Sequence, residues 1–288
     1  MDKNFRLALP LALGMFAVGY GCAKQKPDFT SSLGARQECT RLLNSSDMHS
    51  SDDFWRMGEK KIAEGRASEG EDSKRFNLLC ALAAFEGSTV LAPRDPTGYL
   101  RSGHLYFEFK DFKSALKAYE KALSLRPNLP EVNLRLAQIY RLEGKPSEAQ
   151  HHLSQELNLN PTSSAAWSER GEIAMSSKDF HLAVESYKVL VVLVPEDERF
   201  HLALATAERK SHKFESALAT LDRMEKLPGR RPSDFYFEKG LLLREMGRRI
   251  EAVSAFKAYL ESDRSSKLIH SRAREKIRRL SSVVMGAR

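Results

Sequence analysis

Eight histidines, three cysteines and thirty-eight carboxylates are the residues with which this chain could do chemistry. Their spacing argues against a reaction centre. His151 and His152 are adjacent; on a helix they point about 100° apart and cannot hold one ion together. The sequence has no His-Glu-x-x-His, no Cys-x-x-Cys and no glycine loop ending in Gly-Lys-Ser/Thr, the patterns that bind zinc or cradle phosphate. It also has no Gly-x-Ser-x-Gly elbow to raise a nucleophile. The carboxylates are scattered over positions that read as solvated helix faces. The expectation is a chain that is not an enzyme and needs no cofactor or metal.

Behind these residues lies a strong repeat. Ala115 recurs as Ala149, Ala183, Ala217 and Ala252, in steps of 34, 34, 34 and 35 residues. Four residues after each alanine stands Tyr119, Leu153, Tyr187, Leu221 or Phe256. Small residues recur in the same way at Gly103, Ala137, Gly171, Ala205 and Gly240, and three units close on Pro127, Pro161 and Pro195. Small residues let two helices approach closely, aromatics fill the space beside them, and proline stops the second helix. One such unit cannot bury its apolar face alone, so neighbours must stack.

A period of 34 residues with these anchors resembles the tetratricopeptide repeat, a helix–turn–helix unit. The resemblance implies an all-α fold, a right-handed α-solenoid with five units over 96–262. The first carries Tyr99, Gly103, Tyr106, Phe112 and Ala115, and the third Trp167, Gly171, Phe180 and Ala183. The second has Pro146 where the inter-helix turn usually has Phe, and the fourth has His201 in place of the early aromatic. Residues 53–95 read as a degenerate N-terminal helical pair anchored by Trp55, Ile62, Ala81 and Phe85, with a charged connection over Glu64–Lys74. Residues 263–288 read as a basic C-terminal capping helix with a stripe of Ile269, Ala273, Ile277, Leu280 and Val284.

The net charge of +8 is concentrated at this end, where residues 264–288 hold eight Lys/Arg against one Glu. The body is close to neutral, so the basic pI does not point to nucleic acid. The C-terminal helix reads first as a solvated cap; the alternative is a cap that also meets an anionic surface.

The first 21 residues look like a signal peptide. Lys3 and Arg6 precede an apolar run over Leu7–Gly21, short for a membrane span but suited to a signal-peptide core. Cys22 follows at once, and Val18–Cys22 resembles a bacterial lipobox, although Gly19 stands where leucine is usual. The resemblance implies lipidation of Cys22 and an outer-membrane lipoprotein facing the periplasm. The alternative is an ordinary cleaved signal and a soluble periplasmic or secreted protein. Residues 22–52, rich in serine, read as a polar linker with room for a short helix over Leu33–Asn44. In an oxidising compartment Cys39 and Cys80 could pair; a buried free thiol at Cys80 is the other reading.

By the family resemblance, repeat positions 2, 5, 9 and 12 of the first helices line a concave groove. These positions give Leu100, His104 and Phe107; Leu134, Gln138 and Arg141; Glu172; Leu202 and Thr206; Phe237 and Leu241. Leu or Phe at position 5 of four units would make an apolar ladder for a protein or peptide ligand. The expected function is a membrane-tethered scaffold that binds proteins and aids assembly of envelope machinery such as pili or secretion complexes. The alternative is an adaptor that brings envelope hydrolases or proteases to their substrates.

Overall fold

The computed structural model describes residues 32–44, 48–129, 131–229 and 231–262, together with 274, 275, 277 and 278. The signal segment 1–21, Cys22 and most of the C-terminal helix lie outside the described residues. Thirteen helices and no strands make up the described chain, an all-α helical repeat. It divides into two compact units, residues 1–132 and 133–288.

Unit 1 begins with α1, Ser32–Asn44. Within the stretch read as a linker, the short helix given room over Leu33–Asn44 forms as α1 and joins the core. Ala35, Cys39 and Leu43, spaced by four, are all buried, and α1 packs on α3 instead of serving as a spacer. A single guanidinium nitrogen of Arg36 on α1, Nη2, donates to both oxygens of Glu86 on α3 at 2.9 Å. Cys39 and Cys80 are joined by a disulfide. The degenerate pair is α2, Ser51–Ala67, and α3, Glu71–Leu91. Ser50 and Asp53 cap α2 reciprocally. The long connection expected over Glu64–Lys74 shrinks to residues 68–70, because its charged stretch continues both helices. The first full repeat follows as α4, Pro96–Glu108, and α5, Phe112–Leu125.

Unit 2 holds the remaining four pairs. These are α6 (Val132–Leu142) with α7 (Pro146–Leu159), α8 (Ser164–Ser176) with α9 (Phe180–Leu193), α10 (Glu198–Lys210) with α11 (Phe214–Glu225), and α12 (Ser233–Glu245) with α13 (Arg249–Ser262). Pro146 does not sit in the turn but opens α7, where its missing N–H has no helical partner to lose. Ile277 of the C-terminal segment packs on the cluster of Leu243, Ala252, Ala255 and Phe256.

Close approach of the two helices in a pair explains the repeated small residues. A Cβ added at Gly103, Gly171 or Gly240 would lie 2.7, 2.6 and 2.7 Å from the ring of Tyr119, Tyr187 and Phe256. Where the facing residue is Leu153 or Leu221, the small residue is Ala137 or Ala205, both fully buried. A ring is thus matched by glycine and a branched aliphatic by alanine. The turn between helices has its own period. Lys110, Gly144, Lys178, His212 and Gly247 all have φ between 59° and 79°, a left-handed turn at the same place in every unit.

One inserted residue precedes α12, and Arg231 organises it. Its guanidinium donates to the carbonyls of Met224, Leu227, Pro228 and Gly229 at 2.6–2.9 Å and pairs with Glu198 at 2.7 Å. Met224 lies in the last turn of α11 and the other three carbonyls in the connection that follows it.

Candidate functional site

The expected partner face lies on the first helix of each pair. In unit 1 it is carried by α4, where Leu100, His104 and Phe107 are all part-buried. His104 turns its ring onto Tyr119, with centroids 5.6 Å apart, and Phe107 meets Phe112 edge-on at 5.7 Å. Both side chains therefore brace α4 against α5 as well as line its outer face. Tyr106, on the flank of α4, donates to Glu86, and its phenol is pushed up to about 12 by burial and then by the Glu86 charge.

In unit 2 the apolar ladder is corrected at Leu134. This residue is only 8% exposed and belongs to the core formed with Ala149, Leu153, Leu157 and Ile173. Its position points under the neighbouring helix, so it packs and does not present itself to a ligand. Leu202 is part-buried on the α10–α12 core, and Leu241 on the next cluster. Phe237 lies against Phe256 and Tyr259 at 5.8 and 5.2 Å. Gln138 accepts from Arg135, and Thr206 donates to the Leu202 carbonyl.

Arg141 is committed across helices, to Glu169 of α8. Arg209 does the same two units later, to Glu238 and Glu245 of α12, the latter at 2.8 Å. The signal for this rung was present in the sequence, since Arg141/Arg209 and Glu169/Glu238 recur two units apart. Glu172 is exposed beside Ser168 and Met175 on α8. The Tyr187 phenol is pushed up to about 12 by burial and then by the charge of Glu172. The reachable part of this face is therefore mixed, with Glu172, Arg141, Arg199 and Asp234 exposed among part-buried apolar side chains.

The geometry agrees with what known proteins share with the chain. Residues 88–201 match the family profile described as the cytochrome c-type biogenesis protein H TPR domain, and residues 202–267 match the tetratricopeptide repeat profile. The chain is a tetratricopeptide repeat protein. Mouse tetratricopeptide repeat protein 21A is 25% identical over 156 residues, 54% of this chain and 12% of that protein. The chain spans only 12%, 31% and 24% of the lengths of the curated relatives it matches. Among solved structures, YrrB, described as a TPR protein with an unusual peptide-binding site, superposes with a TM-score of 0.59 at 16% identity, covering 67% of this chain and 98% of YrrB. The pilF structure from Pseudomonas aeruginosa superposes with a TM-score of 0.55 at 16% identity, covering 84% of this chain and 99% of pilF. At these identities the likeness is one of fold.

Two histidines of this repeat protein, His201 and His152, have structural roles. His201 is 4% exposed and its Nε2 lies 2.8 Å from the Pro195 carbonyl. One unit earlier, Trp167 donates its indole N–H to the Pro161 carbonyl at 2.8 Å. A carbonyl only accepts, so Nε2 of His201 carries the proton and the histidine replaces the tryptophan donor. His152 stacks on Tyr140 with rings 5.4 Å apart, and its Nδ1 lies 3.1 Å from Asn133 Oδ1. Burial, with His151 adding to it, lowers its pKa. Among the described residues no group of three or more His, Cys, Asp or Glu is arranged to hold a metal ion. Also among them, no helix is long and apolar enough to cross a membrane.

Proposed function

We propose that this protein is a non-catalytic scaffold that binds a protein or peptide segment on its first-helix faces. The observation that carries this reading is the contrast along those faces. The second helices repeat their alanine from unit to unit, whereas the ninth position of the first helices differs in every unit, as His104, Gln138, Glu172, Thr206 and Leu241, and is exposed at Glu172. A surface that varies over a constant frame suits recognition. The peptide-binding site named for YrrB, a protein of the same fold, supports the same use.

The finer reading is a lipoprotein of the bacterial envelope, tethered through Cys22, that aids assembly of machinery such as pili or secretion complexes. An apolar run ending at Cys22 supports the tether. The Cys39–Cys80 disulfide supports an oxidising compartment.

The test uses exposed Glu172 and part-buried Ser168 beside it on α8, because a charge at buried Leu134 would break the core. Partners are captured from membranes with the wild-type protein and with a Ser168→Arg/Glu172→Arg variant. Partners lost in the folded variant support the face on α8; an unchanged set refutes it. Mass spectrometry of the mature N-terminus decides the tether: acylated Cys22 is expected, and an unmodified terminus refutes it.

A further inference from the structure

Unit 1 contains a pocket of about 190 Å³ lined by Ser51, Asp52, Trp55, Ser88, Asp95 and Thr97. Its place follows from the packing of α2. A Cβ on Gly58 would lie 2.6 Å from the Phe85 ring, just as one on Gly103 would lie 2.7 Å from Tyr119. Registered on these glycines, Asp52 and Trp55 of α2 correspond to Thr97 and Leu100 of α4. The degenerate pair therefore carries the same outer face as the full repeats, and the pocket lies where α2 and α4 present it together.

The lining has a definite chemistry. It contains two carboxylates, an indole and three hydroxyls, and no cation. Asp95 accepts from the Thr97 N–H and hydroxyl at one oxygen, Oδ1. The Ser88 hydroxyl is used by the Phe85 carbonyl at 2.7 Å. Arg101, a cation on α4, is taken by Glu59 of α2 at 2.9 Å. Trp55 Nε1 is buried and has no acceptor. An anion would meet two like charges there, and an apolar group would leave polar atoms without partners. A cation gains from both carboxylates and from the indole face. The volume is below the range of pockets for drug-sized ligands and suits one side chain.

We propose that this pocket takes a single lysine or arginine side chain of the bound segment, held between the carboxylates of Asp52 and Asp95. The proposal rests on the peptide-binding reading above and names a specificity for its N-terminal end.

The test uses the full chain carrying Trp167→Phe, which leaves Trp55 as the one tryptophan. Its emission is titrated with acetyl-Gly-Arg-Gly-amide and with the citrulline counterpart, which has nearly the same shape and no charge. The arginine peptide should bind up to about fivefold tighter than the citrulline peptide, the factor expected of a partly screened ion pair. This preference should shrink with salt and fall in Asp52→Asn, which leaves Asp95 as the remaining carboxylate and the Ser50–Asp53 cap of α2 in place. An unchanged thermal midpoint in Asp52→Asn confirms that folding is not the cause. Equal affinity for the two peptides, or a preference undiminished in Asp52→Asn, overturns the proposal. If the pocket fails while capture still depends on Ser168 and Glu172, only the cationic specificity falls. If capture also loses that dependence, the first-helix reading falls with it.

Discussion

Gly171→Ala in α8 would place a Cβ 2.6 Å from Tyr187 Cε1 and 2.7 Å from Cζ. Helix propensity alone favours alanine by about 0.8–1.0 kcal/mol. The ring is 5% exposed and cannot retreat into solvent, so the helices must part, at about 1–3 kcal/mol for overpacking. The net expectation is a loss of roughly 0–2 kcal/mol. Tyr187→Leu alone opens a void opposite Gly171 and should cost about 2–4 kcal/mol. The double variant recreates the pairing seen at Ala137/Leu153 and Ala205/Leu221. It should therefore be more stable than the sum of the single effects by about 2 kcal/mol. Urea denaturation followed by far-UV circular dichroism measures all four proteins. A stabilised Gly171→Ala, or single effects that simply add, would refute the close-approach argument.

Other expectations follow from single features. Arg231→Met leaves four loop carbonyls and Glu198 without their donor and should cost about 3 kcal/mol in urea melts; Arg231→Lys should not restore it, because an ammonium lacks the planar fork. The disulfide closes a separation of 41 residues, so a Cys39→Ser/Cys80→Ser variant should lose about 4 kcal/mol, and added reductant should then have no further effect on its melting. His152 has a folded pKa below its ordinary 6.5, through burial and then His151. Its neutral form is the one that fits, so its stability is fully present above 6.5 and declines as pH falls through the lowered folded value; His152→Gln should flatten the stability profile between about pH 7 and 5. Lys178 has φ 61°, and Lys178→Gly should raise stability by about 1 kcal/mol, whereas an unchanged melt would show that the lysine is unstrained.

The repeat was legible because its signal is local and steric. Ala115 and its copies have no alternative role, and glycine facing a ring is a pattern that two positions suffice to state. The turns were less visible: Lys110, Lys178 and His212 adopt a left-handed conformation that their side chains do not advertise, and only Gly144 and Gly247 hint at the shared geometry. The stripe of Ala35, Cys39 and Leu43 in α1 was overshadowed by the serines around it. The outer face was harder again. Position within a repeat told which residues lie near it, but burial depends on the neighbouring helix, which buried Leu134 and engaged Arg209 with Glu238. The part played by α2 was missed because eleven extra residues separate Gly58 from Phe85, compared with the interval between Gly103 and Tyr119.

The bond between Cys39 and Cys80 also sets a mechanical path. A pull on the chain ahead of Cys39 reaches α3 directly through sulfur, and the intervening sequence, including all of α2, carries no tension. The Arg36–Glu86 pair lies along the same line of load. Under force, α1 cannot peel from α3 as a helix held by packing alone would. The helical pair beside the Trp55 pocket would keep its shape while the chain ahead of it is stretched, until the disulfide is reduced.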